Sequence, residues 1–350
     1  VSLEDWGWSE AWAKRLPEEP GFEPARVVGV HGRGMVLAGA GEEFVAPPSG
    51  RLLDTSPHKA DLPTVGDWVL VRGGVVEGLL PRTTLVSRRA PGSSAAKQAL
   101  AANVDLLFIV SGLDLDLNVR RLERYLIVAL ESGARPVLVL NKADLGAPEE
   151  ALRSVLKVAA GHEVLLTSAT RGTGTHEVAA RVGRGVTGAF VGSSGVGKST
   201  LVNRLLGLEA QAVRDVRPHD SRGRHTTTSR RLFRLPTGGL VIDSPGLREI
   251  QVFASEETLA SGFPEIAELA RGCRFRDCRH LEEPGCAVSA DVLESRLDPG
   301  RLESFHTLRR EAERAEREED AVARARHKGR VKSLERMIRR KNLGKRGRET

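Results

Sequence analysis

Gly192-Ser193-Ser194-Gly195-Val196-Gly197-Lys198-Ser199 follows a short apolar run, Ala189-Phe190-Val191, and precedes a stretch with helical spacing, Thr200–Leu206. The pattern G-x-x-x-x-G-K-S between a strand and a helix is a phosphate-binding loop. Its glycines let successive backbone N–H groups wrap an anion, and the helix N-terminus favours negative charge. Lys198 is expected at the β and γ phosphates and Ser199 on Mg²⁺, with Thr200 beside it at the nucleotide.

A loop of this kind belongs to a parallel sheet, and the sequence on either side agrees. Val104–Val110 and Pro136–Leu140 are nearly continuous apolar runs, as strands buried on both faces should be. Arg120–Ser132, between them, has helical spacing, and Val164–Leu166, Thr187–Val191 and Leu240–Ile242 are further strands. Strands alternating with helices predict a doubly wound α/β domain.

Which nucleotide the domain takes is decided elsewhere. Asn141-Lys142-Ala143-Asp144 follows the strand ending at Leu140. A carboxylate at Asp144 can accept from both N1–H and the exocyclic amine of guanine, and adenine offers no such pair of donors. Asn141 and Lys142 would brace the loop; alternatively, the run is only an Asn-Lys turn with Asp144 as a helix cap. Ser168-Ala169, after the strand Val164–Leu166, would complete the pocket. Asp243-Ser244-Pro245-Gly246 follows the strand Leu240–Ile242; Asp243 can reach Mg²⁺ through water and the Gly246 N–H can sense a γ-phosphate, although a plain β-turn has the same look. Between the phosphate loop and Asp243 lies Gly223-Arg224-His225-Thr226-Thr227-Thr228, where Thr226 or Thr227 could give Mg²⁺ a second protein oxygen.

Farther out the texture changes. Residues 1–24 hold Trp6, Trp8 and Trp12 and read as an extension that packs on something else. From Ala25 to about Arg89, short β-type runs (Ala25–Val30, Gly34–Ala38, Phe44–Ala46, Asp67–Arg72, Val75–Leu80) are punctuated by Gly and Pro, which suggests a small OB-like or SH3-like β-barrel. Ala90-Pro91-Gly92-Ser93-Ser94 has linker composition. On the other side, Cys273-x4-Cys278-x-His280-x5-Cys286 gathers all three cysteines of the chain with one histidine. Three thiolates and an imidazole make a closed, structural Zn²⁺ site; three buried thiols in a helical segment are the alternative. Arg271, Arg274, Arg276 and Arg279 surround it.

The net charge of +7 over 350 residues is carried by the tail. Residues 321–350 hold twelve Lys or Arg against two acidic residues, leaving the first 320 residues slightly acidic. Such a tail suits a polyanion, nucleic acid first; a solvated helix end is the other reading. Hydrophobic and charged shares of 40% and 28% exclude a disordered or fibrous chain. No apolar run approaches the roughly 18–20 residues of a membrane span. An acidic start without a secretion-signal layout and an odd cysteine count fit a soluble, cytoplasmic protein with no membrane partner.

The order of the motifs is the sharpest clue. Asn141–Asp144 and Ser168-Ala169 precede the phosphate loop, the threonine run and Asp243–Gly246, whereas an ordinary small GTPase begins with the phosphate loop. The chain resembles the circularly permuted RsgA (YjeQ/YloQ) family of small-subunit-dependent GTPases, through Gly66-Asp67-Trp68-Val69, the permuted motifs and the cysteine segment with Glu283-Pro284-Gly285-Cys286-Ala287-Val288. The expected organisation is an extension (1–24), an OB-like barrel (25–90), a circularly permuted GTPase domain (91–253) and a zinc-binding helical domain with a basic tail (254–350). The resemblance implies GTP hydrolysis to GDP and phosphate on the small ribosomal subunit and its rRNA, in late subunit maturation, by a monomer. It also implies one structural Zn²⁺, and Mg²⁺ with the GTP. Leu247 stands where many GTPases carry the water-orienting glutamine. His225 is therefore the candidate catalytic group, since a neutral imidazole can orient water, and the resemblance points to the same histidine. Two rival readings stay open: a GTP-gated RNA-binding factor that does not hydrolyse, and a phosphotransferase to a small molecule, which Asp144 and the lack of an acceptor motif oppose.

Overall fold

The computed structural model describes residues 1–31, 34–56, 58, 60–89, 97–114, 117–146, 149–207, 230–243 and 253–318. Five short strands open the chain: β1 (Glu23–His31), β2 (Gly34–Ala38), β3 (Glu43–Ala46), β4 (Trp68–Arg72) and β5 (Val75–Leu79). They pair in the order β3-β2-β1-β4-β5, all antiparallel. The chain leaving β3 returns to β5. Val76 N–H donates to the Pro47 carbonyl (2.9 Å), and Ser49 N–H to the Val76 carbonyl (2.8 Å). The strands so close around Val27, Met35, Leu37, Val69, Val71 and Val76. A helix, Gly50–Thr55, lies between β3 and β4, and its first turn is capped by the Ser49 hydroxyl accepting from Leu52 N–H.

β6 (Leu85–Arg89) and β7 (Lys97–Ala102) form a separate antiparallel pair, with Arg89 opposite Lys97. Residues 90–96, outside the described residues, therefore join two strands of one hairpin. The linker expected at Ala90–Ser94 falls on residues that are not described, and a boundary at 90/91 lies between the two paired strands. The Gly66-Asp67-Trp68 run docks the barrel on this hairpin. Gly66 has φ +93°, and a Cβ there would lie 2.1 Å from the Ala102 carbonyl oxygen. Asp67 is fully buried and accepts from Arg82 Nε and Nη2 and from Thr64 N–H, all at 2.8 Å. Trp68 is buried beneath Trp8 and Trp12, whose ring centroids lie 4.7 and 6.2 Å away. The amino-terminal segment thus packs on the barrel, as its tryptophans suggested.

The second layer system is the α/β sheet: β8 (Leu106–Gly112), β9 (Arg135–Asn141), β10 (Glu163–Leu166), β11 (Thr187–Val191), β12 (Arg231–Arg234) and β13 (Leu240–Asp243). Its order is β10-β9-β8-β11-β13-β12, parallel except for β12. β8 starts two residues into the apolar run, where Val104 and Asp105 follow an Asn103 at a left-handed φ of 54°. Gly112 stands opposite Asn141, Leu140 opposite Leu166, and Val191 opposite Ile109. The loops after β8, β9, β10, β11 and β13 therefore leave from one edge of the sheet, the carboxyl edge, where open α/β sheets bind ligands. β12 also touches β1 through one antiparallel pair, Gly29 with Arg231, so one sheet path runs from barrel to α/β domain.

Three helices follow, Glu256–Gly262, Pro264–Ala270 and Ala287–Leu293, and residues 299–318 are helical. Phe263, Ile266, Val288, Leu297 and Leu308 lie in the same apolar cluster as Leu126 and Ile127 of the helix Val119–Ser132. Among the described residues, the carboxyl-terminal region thus shares its core with the α/β domain. Buried Glu123 ties the two together, accepting from Arg301 Nη1 (2.9 Å), Arg120 Nη1 (2.7 Å) and the Ser304 hydroxyl. Arg301 also donates to the Gly262 carbonyl at 2.8 Å. Such a network adds little net stability, but removing one member strands a buried charge at a cost of about 3–5 kcal/mol. The basic tail at 321–350 lies outside the described residues, and no described helix is long and apolar enough to cross a membrane.

Candidate functional site

The phosphate loop leaves β11 at Gly192 and enters the helix Lys198–Leu205. Gly192 has φ +143°, and a Cβ there would sit 2.2 Å from the Val110 carbonyl oxygen. At Gly197, φ +94°, a Cβ would sit 2.2 Å from Asn141 Nδ2. Any side chain at these two points would lift the loop from β8 or expel Asn141. Lys198 Nζ donates to the carbonyls of Gly192 (2.7 Å) and Ser193 (2.5 Å), so its ammonium lies across its own loop. Val196 is buried beneath the loop, while Ser194, Gly195, Ser199 and Thr200 face solvent. A polyphosphate entering here meets a cation and a rim of backbone N–H groups.

Asn141 knots three of the expected motifs. Its Nδ2 donates to the Val196 carbonyl (2.8 Å), and its Oδ1 accepts from Ala169 N–H (2.9 Å) and the Thr167 hydroxyl (3.1 Å). This is why an amide stands there: one side chain must both donate to the phosphate loop and accept from the loop after β10. Asp144 lies in the short turn Ala143–Leu145. A hydrogen bond from the Ser168 side chain, aided by the Arg171 charge, holds its carboxyl below the usual range. Arg171 Nε is 3.9 Å from Oδ2, whereas the buried Oδ1 has no hydrogen-bond partner. An ionised carboxylate with an unfilled buried oxygen suits a ligand edge carrying two N–H donors, as guanine does.

Sequence reasoning did not find Asp114. It follows β8, and its Oδ2 lies 2.6 Å from Lys142 Nζ. Lys142 itself sits at φ +65°. Gly112 leaves room for this pair, since a Cβ there would lie 2.6 Å from Asp114 Oδ1. The available signal was positional: a carboxylate just past a strand whose neighbour ends in Asn141-Lys142. Asp114→Ala should lower affinity for guanosine diphosphate about 5-fold, the scale of a partly exposed ion pair. It should add little to Lys142→Ala in a double-mutant cycle read by calorimetry; independent, additive losses would refute the pairing.

Asp243 closes β13 at the same sheet edge, across from Arg231. Gly246, Leu247, His225, Thr226 and Thr227 lie outside the described residues. The expected catalytic histidine and the expected threonine and glycine contacts are therefore not placed here.

A second cluster lies in the carboxyl-terminal region. Cys273, Cys278, His280 and Cys286 bring one donor atom each to within 4.8 Å of one another. His280 Nδ1 is 3.6 Å from both Cys273 Sγ and Cys286 Sγ, and those two sulfurs are 3.9 Å apart. A tetrahedron with Zn–S of about 2.3 Å and Zn–N of about 2.0–2.1 Å has edges of about 3.5–3.8 Å, so the donors fit this ion. Burial, followed by the charges of Arg309 and His306, keeps His280 below its ordinary pKa and hence neutral, as a ligand must be. Burial pushes the Cys278 thiol up to about 12. Burial also opposes ionisation of Cys286, but hydrogen bonds from the Ser289 hydroxyl and N–H outweigh it and lower that pKa. Crowded thiols driven apart in this way need a cation before all three can ionise.

A family model described as RsgA GTPase matches residues 79–253. The chain is 45% identical over 344 residues to the small ribosomal subunit biogenesis GTPase RsgA of Opitutus terrae, covering 92% of this chain and 93% of that protein. It is 43% identical over 318 residues to the small ribosomal subunit biogenesis GTPase RsgA 2 of Lactiplantibacillus plantarum, covering 89% of each. Among solved structures, YjeQ from Thermotoga maritima aligns with a TM-score of 0.60 at 26% identity, over 83% of this chain and 98% of that one. YloQ, described as a circularly permuted GTPase, aligns with a TM-score of 0.58 at 23% identity, over 85% and 98%.

Proposed function

The chain belongs to the RsgA GTPase family, and from that premise we propose that it is a GTPase of small ribosomal subunit biogenesis. It binds GTP at the carboxyl edge of the α/β sheet and hydrolyses it to GDP and phosphate when docked on the small subunit and its rRNA, during late maturation. The observation that carries this reading is the junction at Asn141, which joins the phosphate loop to the loop holding Ser168 and Ala169, beside an Asp144 oxygen left without a partner. In this reading Gly192, Ser193, Ser194, Gly195, Val196, Gly197, Lys198, Ser199 and Thr200 cradle the phosphates. Asn141, Lys142, Asp144, Ser168 and Ala169 take the base, and Asp243 and Gly246 monitor the γ-phosphate. Ser199, Asp243 and Thr226 or Thr227 serve Mg²⁺. His225 orients the attacking water, the place that Leu247 leaves empty of chemistry. Cys273, Cys278, His280 and Cys286 hold one structural Zn²⁺. The protein acts as a monomer in the cytoplasm.

Phosphoryl transfer depends on positioning and charge, so a switch ordered only by its partner gives slow turnover alone and fast turnover when docked. GTP turnover, with ATP as control, is to be measured alone and with purified small or large subunits. A rise of on the order of 10²-fold with the small subunit only, reduced on the order of 10²-fold by His225→Ala, is expected. No rise with the small subunit would remove the ribosomal mechanism, and no turnover at all would leave the GTP-gated RNA-binding reading. An unchanged stimulated rate in His225→Ala would reject that histidine.

A further inference from the structure

The metal-ligand loop presents an aromatic ring between two cations to solvent. Between Cys273 and Cys278 run Arg274, Phe275, Arg276 and Asp277. Phe275 is 42% exposed. The Arg274 guanidinium carbon lies 5.5 Å from the Phe275 ring centroid. The outer arginines of this region are spent within the protein, Arg271 on Glu268 (2.7 Å) and Arg279 on Glu313 (3.1 Å). Neither Arg274 nor Arg276 has an acidic partner among the described residues. Glu283, an acid that could have neutralised them, is turned inward, accepting from the N–H groups of Arg279 (2.9 Å) and Leu281 (2.8 Å).

The loop is also held in place. Cys273 and Cys278 bracket it as two of the four clustered donors. Arg274 N–H donates to the Gly285 carbonyl (3.1 Å), and Gly285, at φ +78°, would bring a Cβ within 3.1 Å of Arg274 Cβ. The backbone that carries the ring and the two arginines is therefore pre-positioned, which limits the entropy lost when a ligand is taken.

We infer that Arg274, Phe275 and Arg276 form a stacking platform for an unpaired nucleotide of an RNA strand, the base lying on Phe275 and the flanking phosphates on the two guanidinium groups. The chemistry favours this ligand. An exposed aromatic residue flanked in the chain by two arginines, one of them over one face of the ring, matches the alternation of base and phosphate along a single strand, the base taking the other face. A duplex keeps its base faces stacked and out of reach. A membrane surface would call for a broader apolar patch than one ring. The inference rests on the reading that the protein docks on ribosomal RNA, and it names the kind of RNA element this end would meet.

The test uses the full-length, zinc-loaded chain with a fluorescent unstructured oligoribonucleotide, the matching RNA duplex, anionic vesicles and purified small subunits. Phe275→Ala should weaken binding to the single strand about 10-fold, and Phe275→Trp should retain or tighten it. Arg274→Gln with Arg276→Gln should flatten the log–log salt dependence on the single strand by about 1.4. Zinc content and affinity for guanosine diphosphate should stay unchanged in every variant, which separates loss of the platform from loss of the fold. Equal single-strand binding by wild type and Phe275→Ala would overturn the platform, as would a Phe275 effect confined to duplex or to vesicles. If wild type still docks on small subunits in that case, the ribosomal reading survives. If wild type binds neither subunits nor RNA, both fail.

Discussion

Asp144→Asn is expected to lower GTP affinity by on the order of 10²–10³-fold and to make xanthosine triphosphate the better ligand. Asp144 is held ionised beside Ser168, and its buried Oδ1 has no partner. Guanine can present N1–H and its exocyclic amine to the two carboxylate oxygens. Asparagine keeps one acceptor but turns an amide donor toward the guanine amine, so one charge-assisted bond is lost and two donors face each other. Xanthine carries a carbonyl where guanine carries that amine, and the asparagine amide can donate to it. Sites built on paired polar groups discriminate in this steep way because the wrong partner leaves buried groups unsatisfied. Titration calorimetry with the guanosine and xanthosine diphosphates reads the switch directly, with thermal unfolding of the free variant as the control for folding. Unchanged guanosine diphosphate affinity would mean that Asp144 does not read the base.

The parts of the site legible in the sequence were those whose chemistry forbids substitution. Gly192 and Gly197 stand where a Cβ would strike Val110 or Asn141, and Asn141 must donate and accept at once. Such positions keep their residue type whatever the surroundings, so their spacing could be read directly. The permuted motif order was equally readable, because the site is closed by sheet order: β8, β9, β10, β11 and β13 bring their ends together however the chain connects them. Asp114 was not legible, because its partner Lys142 lies just past the end of β9, 28 residues away, and nothing local marks the pair. The pairing of β6 with β7 was not read from the sequence, because only the register of Leu85–Arg89 against Lys97–Ala102 reveals it. The shared core below Val119–Ser132 was hidden for another reason. Phe263 and Ile266 are apolar in the sequence, but nothing near them says that Ile127, far back in the chain, shares their core.

Removing the metal should unfold the carboxyl-terminal cluster while leaving nucleotide binding nearly intact. Within residues 273–286, no regular element spans the four donors, so a bound ion is what would hold this stretch together. Cys286 is also the cap of the helix Ala287–Leu293, its sulfur accepting from Ser289 N–H. A structural zinc of this kind contributes on the order of 10 kcal/mol to local folding. Because three thiols must lose their protons to bind it, and Cys278 alone holds its proton up to about 12, retention should weaken as pH falls. Chelation, or Cys286→Ala, should release one zinc per chain and lower far-ultraviolet helicity. It should abolish stimulation by the small subunit. Affinity for guanosine diphosphate should change by no more than about 5-fold, since every residue proposed for that site lies on the sheet edge. Trp8, Trp12 and Trp68 sit together on the barrel, and Trp6 lies against Arg234 of β12, all away from the metal cluster, so tryptophan fluorescence should report an intact barrel and barrel–sheet junction throughout. Damage should instead pass through Glu123 and Arg301, a buried ion pair between the two regions, into the helix Val119–Ser132, and appear as a lower second melting step. A chain that carries no zinc, or that keeps its helicity and subunit response after chelation, would show Cys273, Cys278 and Cys286 to be buried thiols of an ordinary helical core.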